Sequence, residues 1–270
     1  MKPHELILTS ILDCRRVDLY TKKIVLSKEL QERYDSMLQR YISGEPLQYV
    51  IGFTEFCGYR IYVNKHVLIP RPETEILVDT VCKTYKDRKD TFLKILDVGT
   101  GSGCISIALA QFFKNSRITA LDVSHDALVV AQKNIGIHRL SARINCICED
   151  MFSFLLNSAG EESFDIIVSN PPYIREVDML ELPGDVRQEP YVALDGGRDG
   201  LKYYRMVSSS VEPVMKPGAR LFLEVGDGQA QDVESLFRGK EEFLAPKIIN
   251  DYMQTERVIS LQKRKEHGIS

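Results

Sequence analysis

The spacing of apolar positions changes three times along the chain. Leu30, Tyr34, Met37, Leu38, Tyr41 and Ile42 recur at the i, i+4, i+7, i+8 intervals of one helix face. Ser27 stands where an N-cap belongs, and Gly44 with Pro46 ends the run. A shorter amphipathic helix is predicted over residues 5–14, with Leu8, Ile11 and Leu12 as its apolar positions. From Tyr49 to Val63 the period shortens to two. Tyr59, Ile61 and Val63 alternate with polar residues while Gly52 and Gly58 punctuate the run, which predicts a β-hairpin. Pro70 and Pro72 flank Arg71 in a corner whose backbone is fixed by the two rings. A helix is expected next through Ile76, Leu77, Val81 and Cys82, then a charged loop at 86–90.

Beyond residue 90, short apolar runs alternate with helical ones. Strands are predicted at 93–98, 117–122, 143–148, 164–169 and 220–225, with helices such as 105–113 and 127–135 between them. This is the βαβ rhythm of an open, mainly parallel sheet. Two final runs, 246–251 and 257–261, have no helix between them and read as an antiparallel pair at one sheet edge. The chain is therefore expected to be an α/β protein in three parts. Residues 1–45 form a small helical domain, 46–78 a hairpin and proline-rich linker, and 79–270 the sheet domain. The exposed charges of the first part, ahead of a rigid hinge, assign it the docking of a protein substrate.

Composition narrows the classes. The 270 residues are 44% hydrophobic and 27% charged, ordinary values for a folded globular protein. A net charge of −3 argues against binding through bulk phosphate neutralisation. No run approaches the roughly 18 apolar residues of a membrane span, and the charged start lacks a secretory leader. A reduced, cytoplasmic, monomeric protein is the expectation. The six cysteines include no C-x-x-C pair, and no histidine sits at zinc spacing, so no metal is expected. Cys146 and Cys148, two apart in a predicted strand, read as a buried pair of thiols.

Chemistry enters at the end of the first long strand. Asp97, Gly99, Thr100, Gly101, Ser102 and Gly103 make a glycine loop that opens a helix. Glycines there let a ligand approach the backbone closely, at the edge of the sheet where cofactors bind. The dinucleotide spacing G-x-G-x-x-G fails at Cys104. A carboxylate at Asp97 would repel a pyrophosphate and suit a cation. Asp122 ends the second strand, where a carboxylate accepts from ribose hydroxyls; the alternative is a charge at the start of the following helix. Asp150 and Met151 follow the third strand, placed to bond and cover an adenine. Together these describe a pocket for an adenosine and a sulfonium without phosphates, as in S-adenosylmethionine.

Asn170, Pro171, Pro172 and Tyr173 follow the fourth strand directly. Prolines remove two donors and leave carbonyl oxygens. The Asn170 side chain and the Pro171 carbonyl can then accept both hydrogens of one planar NH2 group, and Tyr173 offers a face to stack on it. An amide nitrogen is a poor nucleophile, and two acceptors holding its hydrogens favour charge development in line with a methyl donor.

These motifs in this order resemble class I S-adenosylmethionine-dependent amino-methyltransferases. Residues 45–58 (EPLQYVIGFTEFCG), 68–75 (LIPRPETE), Glu189 with Pro190, 193–200 and 223–226 resemble the glutamine N5-methyltransferases of peptide chain release factors, the HemK/PrmC family. The resemblance implies a Rossmann-like, seven-stranded domain after a helical domain and a β-hairpin linker. It implies that residues 99–103 cradle the methionine part of the cofactor, Asp122 its ribose and Met151 its adenine, with S-adenosylhomocysteine as product. Asn170 to Tyr173 would hold the glutamine of a Gly-Gly-Gln motif in release factors, the protein partner. Arg71 and Glu73 would shape the substrate mouth, or form a rigid joint in which Arg71 pairs with Glu73 or Glu75. Glu189 and the 195–200 loop would either cover the substrate or serve as structure. Rival readings are a ribosomal-protein glutamine methyltransferase, an adenine-N6 or guanine-N2 nucleic-acid methyltransferase, and a non-catalytic cofactor-binding factor. The second would want a basic recognition module that neither length nor charge supplies, and no nucleic acid is required by the favoured reading.

Overall fold

The computed structural model describes residues 2–160 and 163–265. In chain order its elements are α1 (Pro3–Leu12), α2 (Asp18–Thr21), α3 (Lys28–Ile42), α4 (Leu47–Ile51), β1 (Phe53–Phe56), β2 (Tyr59–Tyr62) and α5 (Thr74–Thr84). They continue with β3 (Leu93–Val98), α6 (Cys104–Phe112), β4 (Ser116–Asp122), α7 (His125–Ile137), β5 (Ile144–Cys148), α8 (Met151–Asn157) and β6 (Phe164–Ser169). The last are α9 (Lys202–Ser210), β7 (Met215–Glu224), α10 (Ala230–Ser235), β8 (Lys247–Asn250) and β9 (Glu256–Gln262).

The helical start behaves as its pattern predicts. Ser27 caps α3 by accepting from the Leu30 amide at 3.2 Å. Gly44, at φ +95°, turns the chain out of the helix. Helices α1, α3 and α4 close on a small core of Ile7, Met37 and Val50. Here α4 is a difference, because the period-two reading began at Tyr49. A five-residue helix is too short to show a 3.6-residue repeat; its form is set by Val50 entering that core. The helical cluster thus runs on to Ile51, past residue 45. Beyond it β1 and β2 form the expected hairpin, with Phe53 opposite Tyr62 and Phe56 opposite Tyr59.

The main sheet has seven strands in the order β5-β4-β3-β6-β7-β9-β8. β3 to β7 are parallel, β9 runs antiparallel to β7, and β8 runs antiparallel to β9. Successive residues of the central strands face opposite cores. Ile95, Ile166, Val168 and Phe222 pack with α5, α6 and α7, whereas Leu96, Ile167, Leu221 and Leu223 pack with α8, α9 and α10. Both faces are covered, which is why these strands read as nearly continuous apolar runs. The closing antiparallel pair is present as predicted. β7 begins earlier than the pattern placed it, at Met215, because Pro217 and Gly218 look like turn residues while Met215 pairs with Phe164.

The paired thiols are a correction. Cys146 is half-buried and Cys148 is exposed, its Sγ donating to the Val123 carbonyl oxygen at 3.7 Å. β5 is an edge strand, so its far end escapes the covering helices. Among the described residues no group of His, Cys, Asp or Glu is arranged to hold a metal ion, and no helix is long and apolar enough to cross a membrane.

Candidate active site

Chain winding reverses at β3: β4 and β5 lie to one side of it and β6 to the other. A crevice forms at such a point beyond the carboxyl ends of the strands. A cleft of about 1030 Å³, counted to its open mouth, lies there, bordered by Gly99, Gly101, Asp122, Glu149, Asp150, Met151, Ser169, Asn170, Pro171 and Pro172. Val67, Leu68, Pro190, Val192, Ala193 and Tyr203 complete its wall. Among the described residues this lining has no lysine or arginine, one histidine, His66, and three carboxylates.

The glycine loop is held from below. Asp97 is fully buried. Its Oδ2 accepts from Thr100 Oγ1 at 2.7 Å, from Ser106 Oγ at 2.6 Å and from the Ser106 amide at 3.2 Å. Its Oδ1 has no partner among the described residues. Burial pushes the Asp97 carboxyl up to about 6, against the pull of those hydrogen bonds. Gly99 and Gly101 take φ of +73° and +54°, and a Cβ on either would meet no atom within 4 Å. Their bare α-carbons therefore face open cleft, as close approach of a ligand requires. Thr100, Ser102 and Gly103 turn inward instead. Thr100 and Ser102 are buried, the Ser102 carbonyl oxygen accepts from Asn134 Nδ2 at 2.9 Å, and Gly103 packs against Ala131. None of the three borders the cleft.

On the neighbouring strands, Asp122 Oδ2 accepts from the Gly101 amide at 2.8 Å and Oδ1 from the Ser124 amide at 2.9 Å. Burial raises its pKa. Each oxygen keeps a lone pair for a ligand hydroxyl. The neutral Ser124 side chain caps α7 by accepting from the Ala127 amide at 3.2 Å. Asp150 is exposed at the cleft edge and caps α8 through the Ser153 amide at 3.1 Å. Met151 is buried beside it.

Asn170 lies at the carboxyl end of β6, half-buried, with Nδ2 donating to Thr74 Oγ1 at 3.0 Å. Its Oδ1 is left for the cleft. Pro171 is buried and Pro172 half-buried. Tyr173 is not in the cleft lining. It is half-buried against Gly226, where a Cβ would come within 2.9 Å of the ring, and its carbonyl oxygen accepts from Gln229 Nε2 at 3.0 Å. Burial and the neighbouring Glu224 raise its hydroxyl to about 12.

Arg71 pairs with neither Glu73 nor Glu75. It donates to Glu189 Oε1, and Glu189 Oε2 accepts from the Ile69 amide at 2.9 Å. Glu75 instead accepts from the Cys57 amide at 2.6 Å, holding the hairpin turn, and Glu73 is exposed. Glu189 is itself buried, and Pro190 and Val192 beyond it border the cleft. The proline corner and the 189–193 loop thus form one strap over the mouth.

Known proteins are similar to this chain. Residues 72–182 match the methyltransferase small domain, and residues 4–52 match the PrmC N-terminal domain. A release factor glutamine methyltransferase of Thermodesulfovibrio yellowstonii is 34% identical, over 96% of this chain and 91% of that one. One of Koribacter versatilis is 37% identical, over 94% and 88%. The chain belongs to the release factor glutamine methyltransferase family. A methyltransferase structure from Pyrococcus furiosus, 18% identical, shares the fold over 88% of this chain and all of that one, with a TM-score of 0.56.

In this family member, three residues of the site have no role assigned from the sequence, although Thr74 lies within the 68–75 run. Thr74 holds Asn170, Gln229 braces the Tyr173 backbone and the Gly226 amide at 3.1 Å. Asn134 ties the hairpin to the glycine loop by accepting from the Tyr62 amide at 2.8 Å while donating to the Ser102 carbonyl. Each joins segments far apart in sequence, so no local pattern shows its partner.

Proposed function

We propose that this protein transfers a methyl group from S-adenosylmethionine to the side-chain amide nitrogen of the glutamine in the Gly-Gly-Gln motif of peptide chain release factors, in the cytoplasm and as a monomer. The observation that carries the reading is Asn170 at the cleft wall with its NH2 side committed to Thr74 and its carbonyl oxygen open. An acceptor in that position selects a substrate NH2 over a hydroxyl anion or a phosphate. Membership of the family supports the choice of glutamine and of release factors.

The cleft fits the cofactor. It offers bare glycine backbone, carboxylates and apolar walls, and among the described residues no lysine or arginine that would call for phosphate. Gly99 and Gly101 would take the methionine portion, Asp122 the ribose hydroxyls, and Asp150 with Met151 the adenine. The unpartnered Oδ1 of Asp97 sits below the loop, and its ionised form would favour a cationic ligand. S-adenosylmethionine, when bound, supplies an electrophilic methyl on a sulfonium.

The chain's own residues prepare the acceptor. Asn170 Oδ1 and the Pro171 carbonyl accept the two amide hydrogens, fixing the NH2 plane and favouring positive charge as it grows there. Tyr173, wedged against Gly226, fixes the backbone after the two prolines. The Arg71–Glu189 strap holds Pro190 and Val192 over the mouth and excludes water. The helical cluster before the linker docks the protein substrate.

Methyl transfer from labelled cofactor to purified release factors, ribosomal proteins, RNA and DNA tests the proposal. Label on the glutamine of Gly-Gly-Gln, located by mass spectrometry, is the expected result. Label confined to nucleic acid or to a ribosomal protein refutes it.

A further inference from the structure

We propose that Asn134 is a positioning residue for the cofactor, one that sets the spacing between the glycine loop and the linker wall and makes the β1–β2 hairpin a working part of the cofactor site. The proposal rests on the reading of Gly99 and Gly101 as the cradle. Asn134 lies near the end of α7 and is 0% exposed. Its Oδ1 accepts from the Tyr62 amide at 2.8 Å. Its Nδ2 donates to the Tyr62 carbonyl oxygen and to the Ser102 carbonyl oxygen, each at 2.9 Å. Three residues earlier on the same helix face, Ala131 supports Gly103, where a Cβ would lie 3.3 Å from the alanine Cβ. The outgoing limb of the loop therefore rests on α7.

The other end of the brace reaches the cleft wall. Tyr62 ends β2, and His66, Val67 and Leu68, a few residues on, border the cleft. The turn between them is closed by Asn64, whose Oδ1 accepts from the His66 amide at 3.0 Å and whose carbonyl oxygen accepts from the Val67 amide at 3.1 Å. Tyr49 donates its hydroxyl to the Val67 carbonyl oxygen at 2.5 Å. So tied, the wall moves with β2. One side chain thus holds Ser102, next to Gly101, and the strand that carries the wall.

The residue type follows from the partners. One N–H and two carbonyl oxygens need one acceptor and two donors on a single short side chain, and an asparagine amide supplies them. Leucine is of similar size and supplies none. Without the amide, three backbone groups lose their partner inside the protein, and they regain one by moving toward water. Loop and wall then part, and a ligand held between them is gripped less. His138 Nε2, 2.9 Å from the Arg60 carbonyl oxygen, and Lys133, 4.6 Å above the Tyr62 ring, also fasten the hairpin to α7, but these contacts do not reach the loop.

The test compares full-length Asn134→Leu, Ile135→Ala and Asp122→Ala. Dissociation constants for S-adenosylmethionine come from calorimetry, and transfer rates from single turnover at saturating cofactor. Folding is followed by circular dichroism and denaturation. Asn134→Leu should raise the constant at least tenfold and leave the saturated transfer rate within about threefold. Ile135, the next residue, is buried in the sheet core. Ile135→Ala should lower stability and keep the constant within twofold; a rise equal to that in Asn134→Leu would overturn the proposal. An unchanged constant in Asp122→Ala would sink the reading of the cleft itself. A weakened Asp122→Ala beside an Asn134→Leu within twofold of wild type would sink the brace alone. If Asn134→Leu does not fold, hydrogen exchange of the wild-type protein decides. Saturating cofactor should slow exchange of the Tyr62 amide at least tenfold, and an unchanged rate there refutes the coupling.

Discussion

The two halves of the sheet's carboxyl edge are built differently. On the β3–β4 side the cofactor cradle is tied by short-range bonds. Asp97 reaches Thr100 and Ser106, three and nine residues away, and Asp122 reaches Gly101, 21 away. On the β6–β7 side the acceptor site is tied by long-range ones. Asn170 donates to Thr74 across 96 residues, and Arg71 and Ile69 donate to Glu189 across 118 and 120. One half is a loop that largely folds itself. The other is assembled when the linker closes on the sheet, so it can be disturbed from a distance. A ligand that binds only the first half is therefore expected to report little of what happens in the second.

The largest expected effect separates the halves at their boundary. Asn170→Ala should reduce methyl transfer by about 10² or more, the usual scale for removing one preorganised hydrogen-bonding group. Its S-adenosylmethionine dissociation constant should stay within about threefold, by calorimetry. An equal loss in both would mean that the halves are one site.

Next comes the strap. Arg71→Ala leaves the buried Glu189 without its cation. Breaking a buried pair costs about 3–5 kcal/mol, and the partial exposure of Arg71 places the loss at or below the lower end. Chemical denaturation should show a loss of about 2 kcal/mol, with the double variant Arg71→Met, Glu189→Gln losing less. A double loss equal to the sum of the singles would show that the pair does not couple.

The smallest effect is confined to the cradle. The native pKa of Asp97, about 6, exceeds the usual 3.8, so its negative charge opposes stability as pH rises through that interval. A cationic ligand near Oδ1 favours the ionised form. Cofactor affinity should accordingly fall as pH drops through about 6, by up to about tenfold per unit. Asp97→Asn should flatten that dependence; an unchanged slope would remove Asp97 from cofactor recognition.

The same contrast explains what was legible in the chain. Local spacing located β3, β6, the glycine loop, the strand-end Asp122 and the Asn170–Tyr173 tetrad, because each needs particular residue types within a few positions. Resemblance across the linker and the later motifs added the family and its chemistry. Local pattern failed for α4, whose five residues are too few to show a period, and for Cys148, whose exposure follows from β5 being an edge. Of the two readings open for Arg71, the local pairing fails, since an arginine followed by glutamates two and four residues on reads as paired locally while its partner is Glu189.

The sequence by itself determined the α/β alternation, the order of the motifs and the residue types available at the cleft, all of which are encoded within single elements. Only the tertiary structure decided which groups meet. Sheet order brings β7 beside β6, and the linker carries Arg71 and Thr74 back over both. Glu224 is an ordinary glutamate in the chain. It becomes a buried carboxylate whose Oε2 has no partner among the described residues because burial and partnership are properties of packing, which distance along the sequence does not specify.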